Sequence, residues 1–433
     1  MAVDRETLEQ LVATVRGYVR NRLVPIEAQV AERDEVPPEV LDDFRRMGLF
    51  GLSTPVEYGG LGLAASEEIR LILELTWASA AFRSLVGINL GLGSQAILMD
   101  GTEEQRRAWL PKIASGEVIT SFCLTEPDSG SDSAALRTRA VRDDDAYILN
   151  GSKRFITNAP YAGLFLVMAR TSPERLPRNA HVSAFLVPAD TPGIRLGAKD
   201  RKMGQQGAWS CDVHFEDVRV PAHAIIGGRE GCGFATAMKS LDRGRINISA
   251  VCVGQARRIL HEATRYAVDR TQFGQPIGDF QLVQAMLADS KADLYAAECM
   301  LDDLARRYDL GERVTLEASC AKLFCSEMVG RIADRVVGNG HADVEDAVAQ
   351  HAEHVAALDA PPVAFVGGDV DLLLRVQGTV AQGDVADVVD VAVLHPRGVG
   401  AADDVDVVLH RQLAQQALHP VGVAGQRGQR VGR

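Results

Sequence analysis

Three short segments combine residue types that could hold a ligand. Residues 123–132 read Cys-Leu-Thr-Glu-Pro-Asp-Ser-Gly-Ser-Asp, and the small residues at 129–131 permit the backbone to approach a bound group closely. Residues 155–158 read Phe-Ile-Thr-Asn, which places an aromatic ring near a hydroxyl group. Residues 270–274 read Arg-Thr-Gln-Phe-Gly, and a guanidinium group is suited to bidentate pairing with phosphate oxygens. Taken singly, the segments have structural alternatives: a glycine turn, a buried core strand and an arginine on a solvated turn.

Taken together, the three segments resemble the acyl-CoA dehydrogenase family. The first resembles the family pattern of a small residue, an aliphatic residue, Ser or Thr, Glu, two free positions and then small-Gly-Ser-Asp. The second resembles its aromatic-Ile-Thr-Asn strand, and the third its Arg-x-x-Phe-Gly segment. The resemblance covers residues from about 5 to about 337. It implies an FAD-dependent flavoprotein of fatty acid β-oxidation, which desaturates an acyl-CoA between Cα and Cβ and passes electrons to electron-transfer flavoprotein.

The resemblance also implies which residues bind the cofactor and the substrate. Thr157 would donate to flavin N5, and Arg270 would reach the FAD pyrophosphate of a neighbouring subunit, so a homodimer or homotetramer is expected. Asp242 and Arg245 occupy positions that contact substrate and CoA in the family; an ordinary surface ion pair is the alternative. The full set of implied FAD contacts is Phe122, Leu124, Thr125, Ser131, Phe155, Thr157, Arg270, Gln272, Phe273 and Gln281.

The catalytic base is not identified by this resemblance. The family takes the base from one of two places, and the first corresponds to Gly244, which cannot abstract a proton. The second is a Glu in a Tyr-Glu-Gly-Thr type motif near the C-terminus, but the last tyrosine here is Tyr308. Two alternatives to a working dehydrogenase therefore remain: a catalytically disabled homologue, and a flavin oxidase or monooxygenase on the same scaffold.

The order of predicted elements is helical, then β, then helical. Apolar residues recur at helical spacing over residues 1–118, and short β-branched segments separated by turn residues follow over 119–228. Asn150-Gly151 between two such segments predicts a hairpin turn. Helical periodicity returns over 229–337, with a third long helix from about Thr315 to Val337. We expect an α+β multidomain protein with a helical domain, an antiparallel β-barrel-like domain and an incomplete C-terminal helical bundle.

The composition changes abruptly at residues 338–433. This tail contains no Lys, Cys, Met, Ile, Tyr, Trp or Ser, and it holds six of the ten histidines. Neither the family's adenosine-binding Gln-x-x-Gly-Gly-x-Gly motif nor a fourth bundle helix is recognisable in it. Two hypotheses remain: a natural, poorly ordered extension, or a reading-frame change that replaced the original C-terminus. Its only glutamates, Glu345 and Glu353, lie in an alanine-rich polar segment that favours a solvated role.

Composition and charge exclude several other classes of protein. The formal charge of −12 argues against a nucleic-acid partner. No apolar run is long enough for a transmembrane helix, and no secretory signal is visible, so we expect a cytoplasmic protein without a membrane span. The seven cysteines lack metal-binding spacing, which predicts reduced thiols and no metal site.

Overall fold

The computed structural model describes residues 3–172 and 181–338, and its first region is helical. Asp4 caps the first helix by accepting from the Thr7 N–H at 2.8 Å, and Thr102 forms a capping box with Gln105. Apolar side chains such as Val15 and Phe44 bury one face of these helices in a common core. The helices are α1 (Arg5–Tyr18), α2 (Glu27–Arg33), α3 (Pro38–Arg46), α4 (Ala65–Leu75), α5 (Ala80–Ile88), α6 (Ser94–Asp100) and α7 (Glu103–Ala114).

A curled β-sheet follows the helices. Its described strands are β1 (Thr120–Cys123), β2 (Arg139–Asp143), β3 (Ala146–Thr157), β4 (Leu164–Arg170), β5 (Val182–Pro188), β6 (Ile194–Lys199) and β7 (Ser210–Pro221). The strand order is β1-β4-β2-β3-β7-β6, and β5 pairs with β4. Strand β4 runs parallel to β1 and β2, whereas the β2–β3, β3–β7, β4–β5 and β6–β7 pairs are antiparallel. This sheet places β1 and β3 near each other although 22 residues separate Cys123 from Ala146 in the chain.

The hairpin predicted at Asn150-Gly151 is wrong. Both residues lie inside β3, and the turn that joins β2 to β3 is centred on Asp144, whose φ is 52°. The pairing of β3 with β7 shifts register between Leu149 and Gly151, so the dipeptide marks a β-bulge. A Cβ at Gly151 would lie only 2.5 Å from Thr138 Oγ1. Glycine is therefore needed at this position, because Thr138, the residue just before β2, comes so close to β3.

Long helices return after the sheet. They are α8 (Gly233–Asp269), α9 (Gln281–Asp309) and α10 (Thr315–Gly338), and a small hairpin of β8 (Thr271–Gln272) and β9 (Gln275–Pro276) joins the first two. The predicted third helix is confirmed. Helix α8 packs against α9, α10 and α4, with Ile246, Val253 and Leu301 in the shared core. The predictions for residues 339–433, including Glu345 and Glu353, lie outside the described residues. None of the described helices combines the length and apolar character needed to cross a membrane.

Candidate functional site

The end of β1 and the end of β3 form the centre of the candidate site. The Ser121 hydroxyl donates to the Thr157 carbonyl oxygen at 2.8 Å, and the Arg154 N–H donates to the Thr125 carbonyl oxygen at 2.9 Å. These bonds bring the predicted residues of the first motif, including Phe122, beside those of the second. Two segments that are about 30 residues apart in the chain thus meet where β1 and β3 end, and this meeting point is called the β1–β3 edge.

A buried ion pair anchors the loop that follows β1. Lys153 Nζ lies 2.8 Å from a Glu126 carboxylate oxygen, with the two side chains 0% and 5% exposed. Lys153 also donates to the Leu124 carbonyl oxygen at 3.2 Å, and Glu126 accepts the backbone N–H groups of Arg137 and Thr138 at 2.5 and 2.9 Å. Burial by itself would raise the pKa of Glu126, but the Lys153 ammonium and these donors lower it below its ordinary value. The pair therefore holds both ends of the loop against β3.

The small residues of this loop form a tight turn. Glu126 and Ser129 exchange backbone hydrogen bonds of 3.0 and 3.2 Å, and the Ser129 hydroxyl donates to the Asp132 carbonyl oxygen at 2.7 Å. Gly130 is exposed, and a Cβ built there would meet no described atom within 4 Å. Ser131 is half-buried beside it. The turn therefore presents a short stretch of accessible backbone, as the sequence predicted.

Phe155 adopts an uncommon backbone conformation. Its φ is 57°, in the left-handed region that bulky residues rarely occupy, and it lies where the β3–β7 register shifts. The ring is 57% exposed and lies under the Arg154 guanidinium at 4.8 Å. The alternative of a buried core residue is therefore wrong for Phe155. Because such strain is concentrated at functional sites, Phe155 is a candidate ligand contact.

Leu124 and Thr157 occupy different environments. The side chain of Leu124 is 7% exposed and packs in an apolar cluster, so only its backbone can face a ligand. Thr157 is half-buried, and among residues 3–172 and 181–338 its side chain makes no hydrogen bond. A hydroxyl without a protein partner at the end of β3 is suited to donate to a bound group.

Asp242 and Arg245 form an ion pair on α8. Asp242 also accepts from the Thr315 hydroxyl at 2.8 Å, and both charged side chains are about one-fifth exposed. The Asp242 carboxylate therefore has a partner on each oxygen, which orients the guanidinium. Gly244 lies between them, with Leu92 Cδ2 at 3.5 Å from a Cβ built there.

The residues predicted to contact FAD at the third motif lie elsewhere. Phe273 is 94% exposed at the tip of the β8–β9 hairpin and meets the Phe280 ring edge-on at 6.1 Å. Arg270, Gln272 and Gln281 are also exposed. Within residues 3–172 and 181–338, no hydrogen bond or ion pair joins these four side chains to the β1–β3 edge. One chain thus brings together the first two motifs but not the third.

Sequence reasoning missed Lys153, which is fully buried and holds the loop in place. The available signal was Glu126, a carboxylate that directly follows the Thr125 end of a β-strand pattern. A buried carboxylate requires a nearby cation or several N–H donors, and Lys153 was the adjacent candidate.

Three family models match this chain. They are the N-terminal domain of acyl-CoA dehydrogenase over residues 5–117, the middle domain over 121–218 and the C-terminal domain over 231–354. The C-terminal match continues beyond the predicted limit at Val337, and residues 355–433 lie past it.

Individual proteins are similar over most of the chain. An acyl-CoA dehydrogenase of Bacillus subtilis is 37% identical over 74% of this chain and 83% of its own length. The human mitochondrial short-chain specific acyl-CoA dehydrogenase is 36% identical over 77% of this chain and 80% of its own. The structure of butyryl-CoA dehydrogenase from Megasphaera elsdenii superposes with a TM-score of 0.77 at 29% identity, covering 83% of this chain and 95% of that one. This chain belongs to the acyl-CoA dehydrogenase family, whose members are flavoprotein oxidoreductases that act on CH–CH bonds.

Proposed function

We propose that this protein is an FAD-dependent enzyme that desaturates an acyl-CoA thioester between Cα and Cβ and delivers the electrons to electron-transfer flavoprotein. The observation that carries the proposal is the convergence of the first two motifs at the β1–β3 edge, held by the buried Glu126–Lys153 pair. The family membership supplies the reaction type, and the similarity to a butyryl-CoA dehydrogenase supports a short acyl chain.

The residues at this edge fit a flavin. Such a cofactor needs hydrogen bonds to its polar edge and an apolar surface beside its rings. The exposed Phe155 ring offers that surface, and the half-buried Phe122, Thr125 and Thr157 lie next to it. The accessible backbone around Gly130 and Ser131 suits a phosphate group, because a Cβ built at Gly130 would meet no described atom within 4 Å.

Each of these groups has a distinct task in the proposed reaction. Bound FAD would supply the acceptor for the hydride that leaves Cβ. Thr157 donates a hydrogen bond to the cofactor, and Phe155 excludes water from one side of the site. The Asp242–Arg245 pair orients the thioester, with Arg245 the charged donor and Asp242 fixing its position. Arg270 and Phe273, exposed on the hairpin, complete the cofactor site of a second copy in a homodimer or homotetramer.

Removal of the α-proton needs a carboxylate that these residues do not provide. Asp242 is paired on both oxygens, Glu126 is bound to Lys153, and Gly244 has no side chain. The base must therefore come from another carboxylate, and a chain without one would bind flavin and acyl-CoA but not desaturate the thioester.

An anaerobic visible spectrum tests the proposal. The purified protein is expected to carry a flavin absorption band that bleaches when a matching acyl-CoA is added, and electron-transfer flavoprotein should restore the band. Thr157→Val and Thr125→Val are expected to shift the band or weaken flavin retention, whereas Thr7→Val, at an exposed helix cap, should not. A flavin band that no member of an acyl-CoA panel bleaches would refute desaturation, and absence of flavin would refute the cofactor site.

A further inference from the structure

Asp34, in the N-terminal helical region, binds the loop between β6 and β7. Asp34 ends α2 with a φ of 50°, in the left-handed region. One of its carboxylate oxygens accepts the Gly207 N–H at 2.6 Å, and the other lies 2.7 Å from Lys199 Nζ. The Asp34 carbonyl oxygen accepts from Lys199 Nζ at 2.7 Å and from the Trp209 indole N–H at 2.6 Å. Lys199 is the last residue of β6 and Trp209 directly precedes β7, so Asp34 holds both ends of this loop.

The Trp209 ring is fixed by two further contacts. The Tyr161 ring stacks on it, with 5.0 Å between the centroids and an interplanar angle of 24°. Lys199 Nζ lies 4.1 Å from the centroid of the same ring, which is a favourable cation–π distance. A ring that is bound on its N–H and packed in this way has little freedom to rotate. The backbone of Trp209 therefore keeps a fixed position relative to Asp34.

Trp209 is also bound to the end of β3. Its carbonyl oxygen accepts the Asn158 N–H at 2.8 Å, and Asn158 directly follows Thr157. Thr157 itself pairs with Ser210, the residue after Trp209, at the last position where β3 and β7 are in register. The hydroxyl proposed as a hydrogen-bond donor to the cofactor thus belongs to the residue next to the one that Trp209 binds.

Uncommon backbone conformations are concentrated along these contacts. Four residues with a positive φ lie on or beside them, namely Asp34 (50°), Phe155 (57°), Asn158 (61°) and Gln205 (51°). Gly207 has a φ of 93°, and a Cβ there would lie 2.6 Å from Val30 Cγ1, so the loop packs directly on α2. Such conformations persist only where the surrounding contacts fix them, and they are concentrated at functional sites. Their concentration here supports a role in positioning a site.

We propose that Asp34 is a positioning residue for the cofactor site, which acts through Trp209 and Asn158 to set the position of the Thr157 hydroxyl. This inference rests on the proposed function, because it takes Thr157 as a hydrogen-bond donor to the flavin. The strength of a hydrogen bond depends steeply on its distance and angle, so a small displacement at the end of β3 weakens it. The contact between α2 and the β6–β7 loop thereby couples the helical region to the cofactor site.

Two variants break these contacts without changing a residue that faces the flavin. Trp209→Phe keeps an aromatic ring beside Tyr161 but removes the indole N–H that Asp34 accepts. Asp34→Asn keeps a residue that tolerates the left-handed conformation and weakens only the pairing with Lys199. Both variants are checked by urea unfolding, so that cofactor effects are compared only in folded protein.

Glu27→Gln is the matched control. Glu27 also lies on α2 and joins it to α8, through Arg258 at 2.6 and 2.8 Å. Among residues 3–172 and 181–338, Glu27 makes no hydrogen bond or ion pair with the β6–β7 loop. This variant should therefore lower the free energy of unfolding but leave the flavin spectrum unchanged.

The visible spectrum, the reduction potential and the dissociation constant of the bound flavin are measured for each variant. Trp209→Phe should shift the spectrum and the potential in the same direction as Thr157→Val. It should also raise the flavin dissociation constant about two- to tenfold, the range that corresponds to one hydrogen bond. Asp34→Asn should cause a smaller shift in that direction. Because the effect acts through Thr157, Trp209→Phe should add no further shift when it is combined with Thr157→Val.

The outcomes separate this inference from the proposed function. A flavin spectrum and dissociation constant that respond to Thr157→Val but not to Trp209→Phe would overturn the positioning role and leave the cofactor site standing. An equal effect of Trp209→Phe with and without the Thr157 hydroxyl would also overturn it, because Trp209 would then act by another route. Unmodified protein that binds no flavin would instead refute the proposed function itself.

Discussion

Replacing Lys153 with methionine removes the cation that anchors the loop after β1. Both members of the Glu126–Lys153 pair are buried, with 2.8 Å between Nζ and the carboxylate oxygen. Removing one partner of a buried ion pair typically destabilises a protein by about 3–5 kcal/mol, because the other charge is left uncompensated. Glu126 keeps the N–H groups of Arg137 and Thr138. We therefore expect the free energy of unfolding to fall by about 3 kcal/mol near neutral pH.

The size of this loss should depend on pH in a defined direction. In the unmodified protein the pKa of Glu126 lies below 4.5, so its contribution is present above that pH and is lost as the pH falls through the folded value. In the Lys153→Met variant the ammonium group no longer lowers the pKa of Glu126. Burial, which raises this pKa, is then opposed only by the two N–H donors. Glu126 of the variant then takes up a proton more readily in the folded state. The loss in the free energy of unfolding, relative to the unmodified protein, is therefore largest near neutral pH and shrinks as the solution is acidified.

Urea unfolding at neutral and mildly acidic pH measures both effects, with flavin retention recorded in parallel. Glu126→Gln combined with Lys153→Met removes the stranded charge and should recover a large part of the loss. Lys239→Met is the matched control, because its pair with Asp100 is half exposed and should contribute less than about 1 kcal/mol. A Lys153→Met deficit below about 1 kcal/mol, or one that stays constant with pH, would refute the anchoring role.

Three further predictions concern single positions. Phe155→Asn should leave the free energy of unfolding unchanged or raise it by up to about 1 kcal/mol, because Asn tolerates a φ of 57°. Flavin retention should fall in this variant, and unaltered retention would contradict the role of the ring. Gly151→Ala should lower the free energy of unfolding in urea by at least about 2 kcal/mol, because its Cβ would clash with Thr138. Gly130→Ala has open space around it and should lower the same quantity by less than about 0.5 kcal/mol. Gly244→Glu should create or increase flavin bleaching by acyl-CoA, because it adds a carboxylate where a Cβ would lie at an ordinary contact distance of 3.5 Å from Leu92 Cδ2. A spectrum that stays unchanged would place Gly244 away from the α-carbon.

Local features could be read from the chain with good accuracy. Thr102 and Gln105 form a capping box, α10 begins at the predicted Thr315, and the change from helical to β periodicity lies close to β1. These features depend on interactions within a few residues of each other. The small residues at 129–131 do lie in a turn with an exposed Gly130, while the close approach of a ligand to this backbone stays a prediction.

Features that depend on distant parts of the chain were decided by the tertiary structure. Asn150-Gly151 is a common hairpin signal, but the packing of Thr138 against Gly151 makes it a bulge within β3. The Glu126–Lys153 pair joins residues that no local pattern links.

Contacts between distant parts of the chain also decide the surroundings of the Arg83 guanidinium. Arg83, Glu68 and Arg243 come from three helices, and each alone is an ordinary charged residue of an amphipathic segment. Only the packing of α4, α5 and α8 buries them together, and within residues 3–172 and 181–338 Arg83 is left without an ion pair. Sequence therefore determined the reaction family and the local elements, whereas the burial that sets the charge balance of this cluster arises only when the helices pack.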